Sequence, residues 1–344
     1  MQKCHRLFFA AIFPAFAALA CGRELLVDQT RPDAPYRTLA AAARDAKPGD
    51  TIRIAKNTGP YREALYIKQS GAPGAPITVE GEGNVITGAE PLRFRQAENG
   101  AWVGAAPIKM PCVITHRGVR LRQDAKTGQF TALATLNDAQ DTLTLLPGVP
   151  PDGWEISTRY FAVRVQDASH HLYKNIRATG STNDGFNLHG AGTDLRFENI
   201  EAFNNADEGY SAHETIESSI KGGKFWANDN GLGNVGDSVT TVEDADVWDN
   251  LGFGVFMRQC VFKARNLRVW GNGRAQVWLY GSARVDLENV AAHTPSFTSA
   301  PWRAYFESKT HKLKPPLVIT GDVTRLREQN VRVENTPAPA GVSP

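Results

Sequence analysis

The chain has 344 residues, 42% of them apolar and 22% charged, which suits one elongated domain or two compact ones and excludes a disordered chain. Lys plus Arg total 38 and Asp plus Glu 36; Lys3 and Arg6 fall in the first twenty residues, which hold no acid, and without that stretch the balance is 36 to 36. A global electrostatic claim on nucleic acid or anionic lipid is thereby unsupported, and four cysteines exclude a disulfide-built scaffold.

Residues 1–20 form a leader. A basic head (Lys3 to Arg6) precedes the apolar run Leu7 to Ala20, which is too short for a relaxed membrane span and ends in Ala18-Leu19-Ala20, a small-x-small cleavage signal. A secretory signal peptide is expected. Cys21 follows at once and opens the alternative of a lipoprotein, so the mature chain is expected to be secreted or periplasmic. No later segment is long and apolar enough to be an integral membrane span. Cys112 and Cys260 read as two buried thiols, and their separation neither requires nor excludes a disulfide.

Residues 21–91 hold a cap and the first coils. Arg37 to Ala46 predicts a short helix with Thr38 as its N-cap, ended by Pro48-Gly49-Asp50. Strands are expected at Thr51–Ile54, Ile77–Glu80 and Val85–Gly88. Residues 92–160 break the pattern and predict a small β-rich insertion, with hairpin strands at Val113–Val119 and Asp141–Leu146. Residues 336–344 are a Pro-rich, disordered tail.

Residues 161–335 repeat. Asp184–His189, Glu208–His213, Asn230–Val235, Leu251–Phe256 and Arg274–Leu279 start 24, 22, 21 and 23 residues apart, each after an Asn-rich turn (Asn183, Asn204-Asn205, Asn228, Asn250, Asn272). Short strands of this kind cannot bury a face alone, but stacked as coils about 4.8 Å apart they can. Asn at a repeated turn suits left-handed backbone and side-chain hydrogen-bond ladders. The fold class is therefore all-β, a single right-handed parallel β-helix with an N-terminal capping helix. A leucine-rich horseshoe is excluded because its Leu spacing is absent.

Aligning the first two coils puts Asn183 over Asp207, Asp184 over Glu208, Asn187 over Ser211 and His189 over His213. Phe186, Leu188, Tyr210 and Ala212 then point inward, and Asn187, His189, Ser211 and His213 outward. The result is one patch of three carboxylates and two imidazoles with Glu214 at its edge, fading to Val235 and Phe256 in the His column. Two acids at strand spacing raise one another's pKa or share a cation. That cation would be Ca²⁺, held by Asp184, Asp207 and Glu208 with Asn183 and Asn187 as neutral oxygens. His189 and His213 would serve as bases or soft-metal ligands. Asn187 and Ser211 would touch substrate. Trp226, Trp248 and Trp270, spaced by 22 and each in Trp-x-Asn, would form an aromatic ladder that stacks on sugar rings or packs under a neighbouring turn.

The run Pro48–Gly88 (PGDTIRI…YREALYI…GAPITVEGEGNVITG) resembles the opening coils of the pectate-lyase-like superfamily, and is most similar to its alginate and chondroitin lyase branch. That branch implies a Lys and Arg pair beside Ca²⁺-binding acids, for which Lys221, Lys224 and Arg258 are the candidates in register. Asn183-Asp184-Gly185-Phe186 followed by Asp207-Glu208 is similar to the paired acid motifs of polygalacturonases, although Gly231-Leu232-Gly233 stands where that family has Gly-His-Gly. The expected function is a secreted, polysaccharide-active enzyme, a monomer whose partner is a polysaccharide and not nucleic acid. β-Elimination of a uronate polymer would use His213 or His189 as base and a cation or Arg258 against the carboxylate. Glycoside hydrolysis by Asp184, Asp207 and Glu208 is the rival, and a non-catalytic carbohydrate-binding or purely structural β-helix is the third reading.

Overall fold

Short apolar strands at a fixed spacing pair with their counterparts one coil away, and the chain winds into a parallel β-helix. The computed structural model describes residues 22–106, 111–122, 133–139, 141–281, 284–293, 317–320, 325–329 and 332–334. The leader, Cys21 and the Pro-rich tail lie outside the described residues. Among those described, no helix is long and apolar enough to cross a membrane.

Two parallel sheets carry the coils. The long sheet runs from Glu24–Val27 through Thr51–Ile54, Ile77–Glu80 and His171–Lys174 to Ala191–Phe203, Thr215–Trp226, Val239–Trp248, Val261–Trp270 and Arg284–His293. The second sheet stacks Leu65–Tyr66, Val163–Gln166, Phe186–His189, Glu208–Ala212, Asn230–Val235, Phe253–Arg258, Ala275–Tyr280 and Leu317–Thr320. Phe186, Tyr210, Leu232, Val255 and Val277 form one inward column of the second sheet. They meet Phe197, Ile220 and Val242 of the long sheet in a continuous dry core.

The corners explain the Asn-rich turns. Asn175, Asn199, Gly222, Asp244, Asn266 and Asn289 all have positive φ, so one column of left-handed residues bends every coil at the same place. At the next corner Asn205, Asn228, Asn250 and Asn272 are buried and form an amide ladder. Each side chain donates to the next, from Asn205 to Asn228 (2.9 Å), Asn228 to Asn250 (3.1 Å) and Asn250 to Asn272 (2.8 Å), and Asn272 donates to Gln276 (2.8 Å). The same oxygens accept backbone N–H groups of the coil before, so each ladder amide is satisfied by protein groups alone.

The cap helix spans Leu39–Asp45, and Thr38 accepts from the Ala41 N–H at 3.2 Å. Leu39, Ala42 and Ala43 are buried against the first coil, which protects its open end. An antiparallel unit leaves the helix after Val85–Thr87. Its strands Ala89–Pro91, Ile114–His116, Val119–Arg120 and Trp154–Ser157 form one small sheet. Arg95–Gln96, Trp102–Ala105, Ala134–Leu136 and Thr142–Leu145 form another, over a separate core that includes Leu92, Ile114, Leu143 and Trp154. Val163 and Arg164 pair directly with Leu65 and Tyr66, so the unit interrupts a coil without breaking the stack. Cys112 lies in the core of this unit and Cys260 in the β-helix core, both as buried thiols.

Candidate active site on the second sheet

The expected register of the first two coils holds. Phe186 pairs with Tyr210 and Leu188 with Ala212, and the Asp207 N–H donates to the Asn183 carbonyl at 3.2 Å. That stacking brings Asp184, Asp207 and Glu208 together, with one carboxylate oxygen of each within 4.8 Å of the others. Asp184 is only 1% exposed. It accepts from Asn187 Nδ2 (2.7 Å), the Glu208 N–H (3.1 Å) and Asn183 Nδ2 (3.4 Å). Glu208 accepts from Asn230 Nδ2 at 3.0 Å and folds its stem over Gly233, where a Cβ would lie 2.6 Å from Glu208 Cγ. Burial, and after it the Asp207 charge, push the Asp184 carboxyl up to about 7. Burial and then the charges of Asp184 and Asp207 hold Glu208 well above the carboxylate range. Three donors favour charge on Asp184 and offset part of its rise.

The imidazoles form the second half of the site. The His189 and His213 rings stack at 4.0 Å, 15° from parallel. His213 Nε2 lies 2.6 Å from Ser211 Oγ, and His189 Nδ1 lies 3.2 Å from Glu214 Oε2. Glu214 also accepts the Gly190 N–H at 2.9 Å, from a left-handed conformation (φ 47°). Burial, then the neighbouring His189, lowers the His213 pKa, so His213 is a neutral base near pH 7. The ligating atoms of His189, His213 and Glu214 also fall within 4.8 Å of one another. Tyr210 points into the core, where its hydroxyl donates to Ser218 Oγ at 2.7 Å, and it has no access to this face.

Two expectations about substrate contact are overturned. Asn187 and Ser211 are buried, at 0% and 2% exposure, and are spent on Asp184 and His213. Their buried side chains contact those two residues and leave no open surface for a sugar. The tryptophan column is not an exposed platform either. Phe203, Trp226, Trp248 and Trp270 stack at centroid spacings of 4.7, 5.8 and 5.4 Å. Trp248 is covered on both faces by its neighbours and is 2% exposed, and Trp270 is 0% exposed. Trp226 is half-buried, and its indole N–H donates to Glu201 at 2.8 Å. A ladder at coil spacing buries its own rings, so Trp248 and Trp270 offer no open face to a sugar.

The lower coils depart from the expected register by one residue. The Phe253 N–H donates to Asn230 Oδ1, and Val235 pairs with Arg258. The turn after Asn250 is thus one residue longer than the turn after Asn228, and Arg258, not Phe256, continues the His column. Arg258 stands two coils from His213, exposed, with its guanidinium 5.8 Å from the Tyr280 ring centre. The shift also brings out an aromatic strip on the outer face. Phe256 and Trp278 lie 5.4 Å apart, Trp278 and Tyr280 5.7 Å apart, and Tyr280 is 40% exposed. Lys221 and Lys224 lie on the long sheet, away from this face.

Sequence reasoning missed three charges. Asp229 sits one coil after Asp207, whose carbonyl accepts its N–H at 2.9 Å, and burial raises its pKa. Arg274, just after the Asn272 turn, and Arg120, from the antiparallel unit, both oppose that rise. Arg120 Nη1 also donates to the carbonyls of Asn205 and Ala227, each at 2.8 Å. The repeat itself signalled Asp229. Nothing in the sequence signalled Arg120, which arrives from a hairpin 85 positions before Asn205.

The carboxylate cluster fits a hard cation. Its ligands are oxygens, and Asn187 Oδ1 is a buried oxygen with no hydrogen-bond partner beside them. Asn183 fits less well, since it turns its amide nitrogen toward Asp184.

No family model matches the chain. It is 26% identical over 243 residues to pectate lyase PEL9 of Emericella nidulans, an alignment covering 65% of this chain and 51% of that protein. The chain therefore spans about half the length of the curated relative it matches. Among solved structures, XylC in complex with xylose superposes with a TM-score of 0.55 at 13% identity, covering 79% of this chain and 66% of the other. The pectate lyase Pel9A gives 0.47 at 14% identity, covering 93% and 82%. The likeness to XylC shows the fold. The curated relative agrees with the resemblance to pectate-lyase-like proteins carried by Pro48–Gly88.

Proposed function

We propose that the chain is a polysaccharide lyase that cleaves a uronate-containing polymer by β-elimination on the outer face of the second sheet. One observation carries the reading: a neutral, hydrogen-bonded imidazole, His213, stands beside a buried cluster of three carboxylates suited to a cation. The pectate lyase relative supports it.

The roles divide as follows. Asp184, Asp207, Glu208 and Asn187 Oδ1 would hold Ca²⁺, which when bound neutralises the substrate carboxylate and so acidifies the C5 proton. Ser211 orients His213, whose free electron pair takes that proton. The C5–H electrons form the C4–C5 double bond as the C4–oxygen bond breaks. His189, held by Glu214, returns a proton to the leaving oxygen. Arg258 pairs with a further uronate, and Phe256, Trp278 and Tyr280 give sugar rings an apolar face. The leader-like residues 1–20 support a secreted or periplasmic setting.

Hydrolysis by the carboxylates is the second reading, favoured by a Glu208 carboxyl that burial holds well above the carboxylate range beside two further acids. Acidic and neutral polysaccharides incubated with the protein, with and without Ca²⁺, separate the two. Unsaturated-uronate absorbance that rises with reducing ends and vanishes on chelation is the lyase result. Reducing ends without that absorbance would replace elimination by hydrolysis. Silence in both signals would leave a binding protein.

A further inference from the structure

The antiparallel unit carries a cavity of about 750 Å³, set away from the carboxylates. Its volume lies in the range that encloses small ligands, about 300–1,000 Å³. Trp102 and Phe94 line it. Phe94 is fixed from two sides: its ring meets Trp154 edge-on at 5.3 Å, and it packs over Gly104, where a Cβ would come within 2.9 Å. Trp102 is half-buried, with part of its indole left open.

The charges in the wall are unequal. Arg62 is committed to Glu155 at 2.5 Å and to the Ala89 carbonyl at 2.8 Å. Arg93 and Arg117 are exposed and form no ion pair among the described residues, and Asp152 is the one remaining acid of the wall. Arg117 is held at a hairpin tip in the left-handed region (φ 51°), its N–H donating to the Gly153 carbonyl at 2.7 Å. The same hairpin carries Arg120, which donates to Asn205 and Ala227 next to Asp229. Arg117 and Arg120 are three residues apart, so their backbones lie within about 10 Å. One hairpin thus borders both the cavity and the turn that bears the acids.

We propose that this cavity is an accessory subsite for a uronate unit of the polymer, one or more sugars away from the reacting unit. Trp102 and Phe94 supply faces for a pyranose ring, and Arg117 and Arg93 supply forked donors for its carboxylate. The inference deepens the lyase reading and rests on it for the identity of the ligand.

The experiment is calorimetric titration of the full chain with Ca²⁺ in a His213→Ala background, which removes the proposed base and keeps the cation ligands. The probes are hexagalacturonate, hexamannuronate, their dimers and a neutral xylohexaose. Trp102→Ala and Arg117→Asn are compared with the parent; Asn tolerates the left-handed backbone. Both variants are expected to weaken binding of an acidic hexamer about 10-fold and to leave the dimer and the melting temperature unchanged. Trp102→Phe should recover most of the loss. Hexamer binding equal to the parent in both variants overturns the subsite while sparing the lyase reading. A parent that binds neither acidic hexamer overturns the lyase reading, and the subsite with it.

Discussion

Two columns of polar residues run side by side through the same turns, and they behave oppositely. Asn205, Asn228, Asn250 and Asn272 stack as amides, and Asp184 stacks against Glu208 as carboxyls a few residues further along each coil. An amide both donates and accepts, so a repeated Asn satisfies its copy above and below. A carboxylate only accepts, so a repeated acid repels its copy unless a proton or a cation sits between them. The first column extends through four coils because it stabilises the stack. The second stops after two, where Glu208 gives way to Asn230 and then Phe253.

Turning the acid column into an amide column tests this most strongly. An Asp207→Asn, Glu208→Gln double variant should lose at least about 10³-fold in kcat, roughly 4 kcal/mol of barrier. It should nevertheless melt at a higher temperature than the parent without Ca²⁺. An equal or lower melting temperature would show that the acids are not a stored repulsion.

The reverse exchange should cost stability alone. Asn250→Asp breaks the ladder and places a charge where there is no cation. About 3–5 kcal/mol of loss is expected at pH 7, and distinctly less at pH 4, where the new carboxyl is protonated. Denaturant unfolding at the two pH values measures both. Equal losses would mean that hydrogen-bond geometry, not charge, is what the ladder requires.

The parent protein should show the acid column's cost by itself. The Asp184 and Glu208 pKa values are raised in the folded state, so the unfolded chain gives up these protons first. Their contribution is full below the ordinary carboxylate range near 4 and is lost as pH rises through about 7. Calorimetry between pH 4 and 8 should show a fall of a few kcal/mol that Ca²⁺ or the double variant removes. A curve flat over that range in chelator would contradict the assigned burial.

The smallest effects concern the histidines. His213→Ala should lower kcat by about 10²-fold, with the acid limb of the parent's pH profile below the ordinary His value because burial lowers the His213 pKa. His189→Gln should cost about 10-fold and shift that limb upward, since a like-charged neighbour is gone. A limb that stays in place would remove His213 as the titrating base.

The coil period, the cap helix, the inward columns and the pairing of Asp184 with Glu208 and His189 with His213 were all legible in the chain, because each follows from local alternation and one repeat length. Outward position was legible as well, but not accessibility. Asn187 and Ser211 lie in outward register yet are closed off by Asp184 and His213, and the Trp rings bury one another at coil spacing. A single-residue difference between the Asn228 and Asn250 turns moved Arg258 into the His column, a change that only backbone pairing reveals. Arg120 belongs to no repeat at all, and its place beside Asp229 depends on how a distant hairpin packs against the stack. Periodicity decides which residues recur on a face. Packing between elements far apart in the chain decides which of them are exposed, charged and within reach of a ligand.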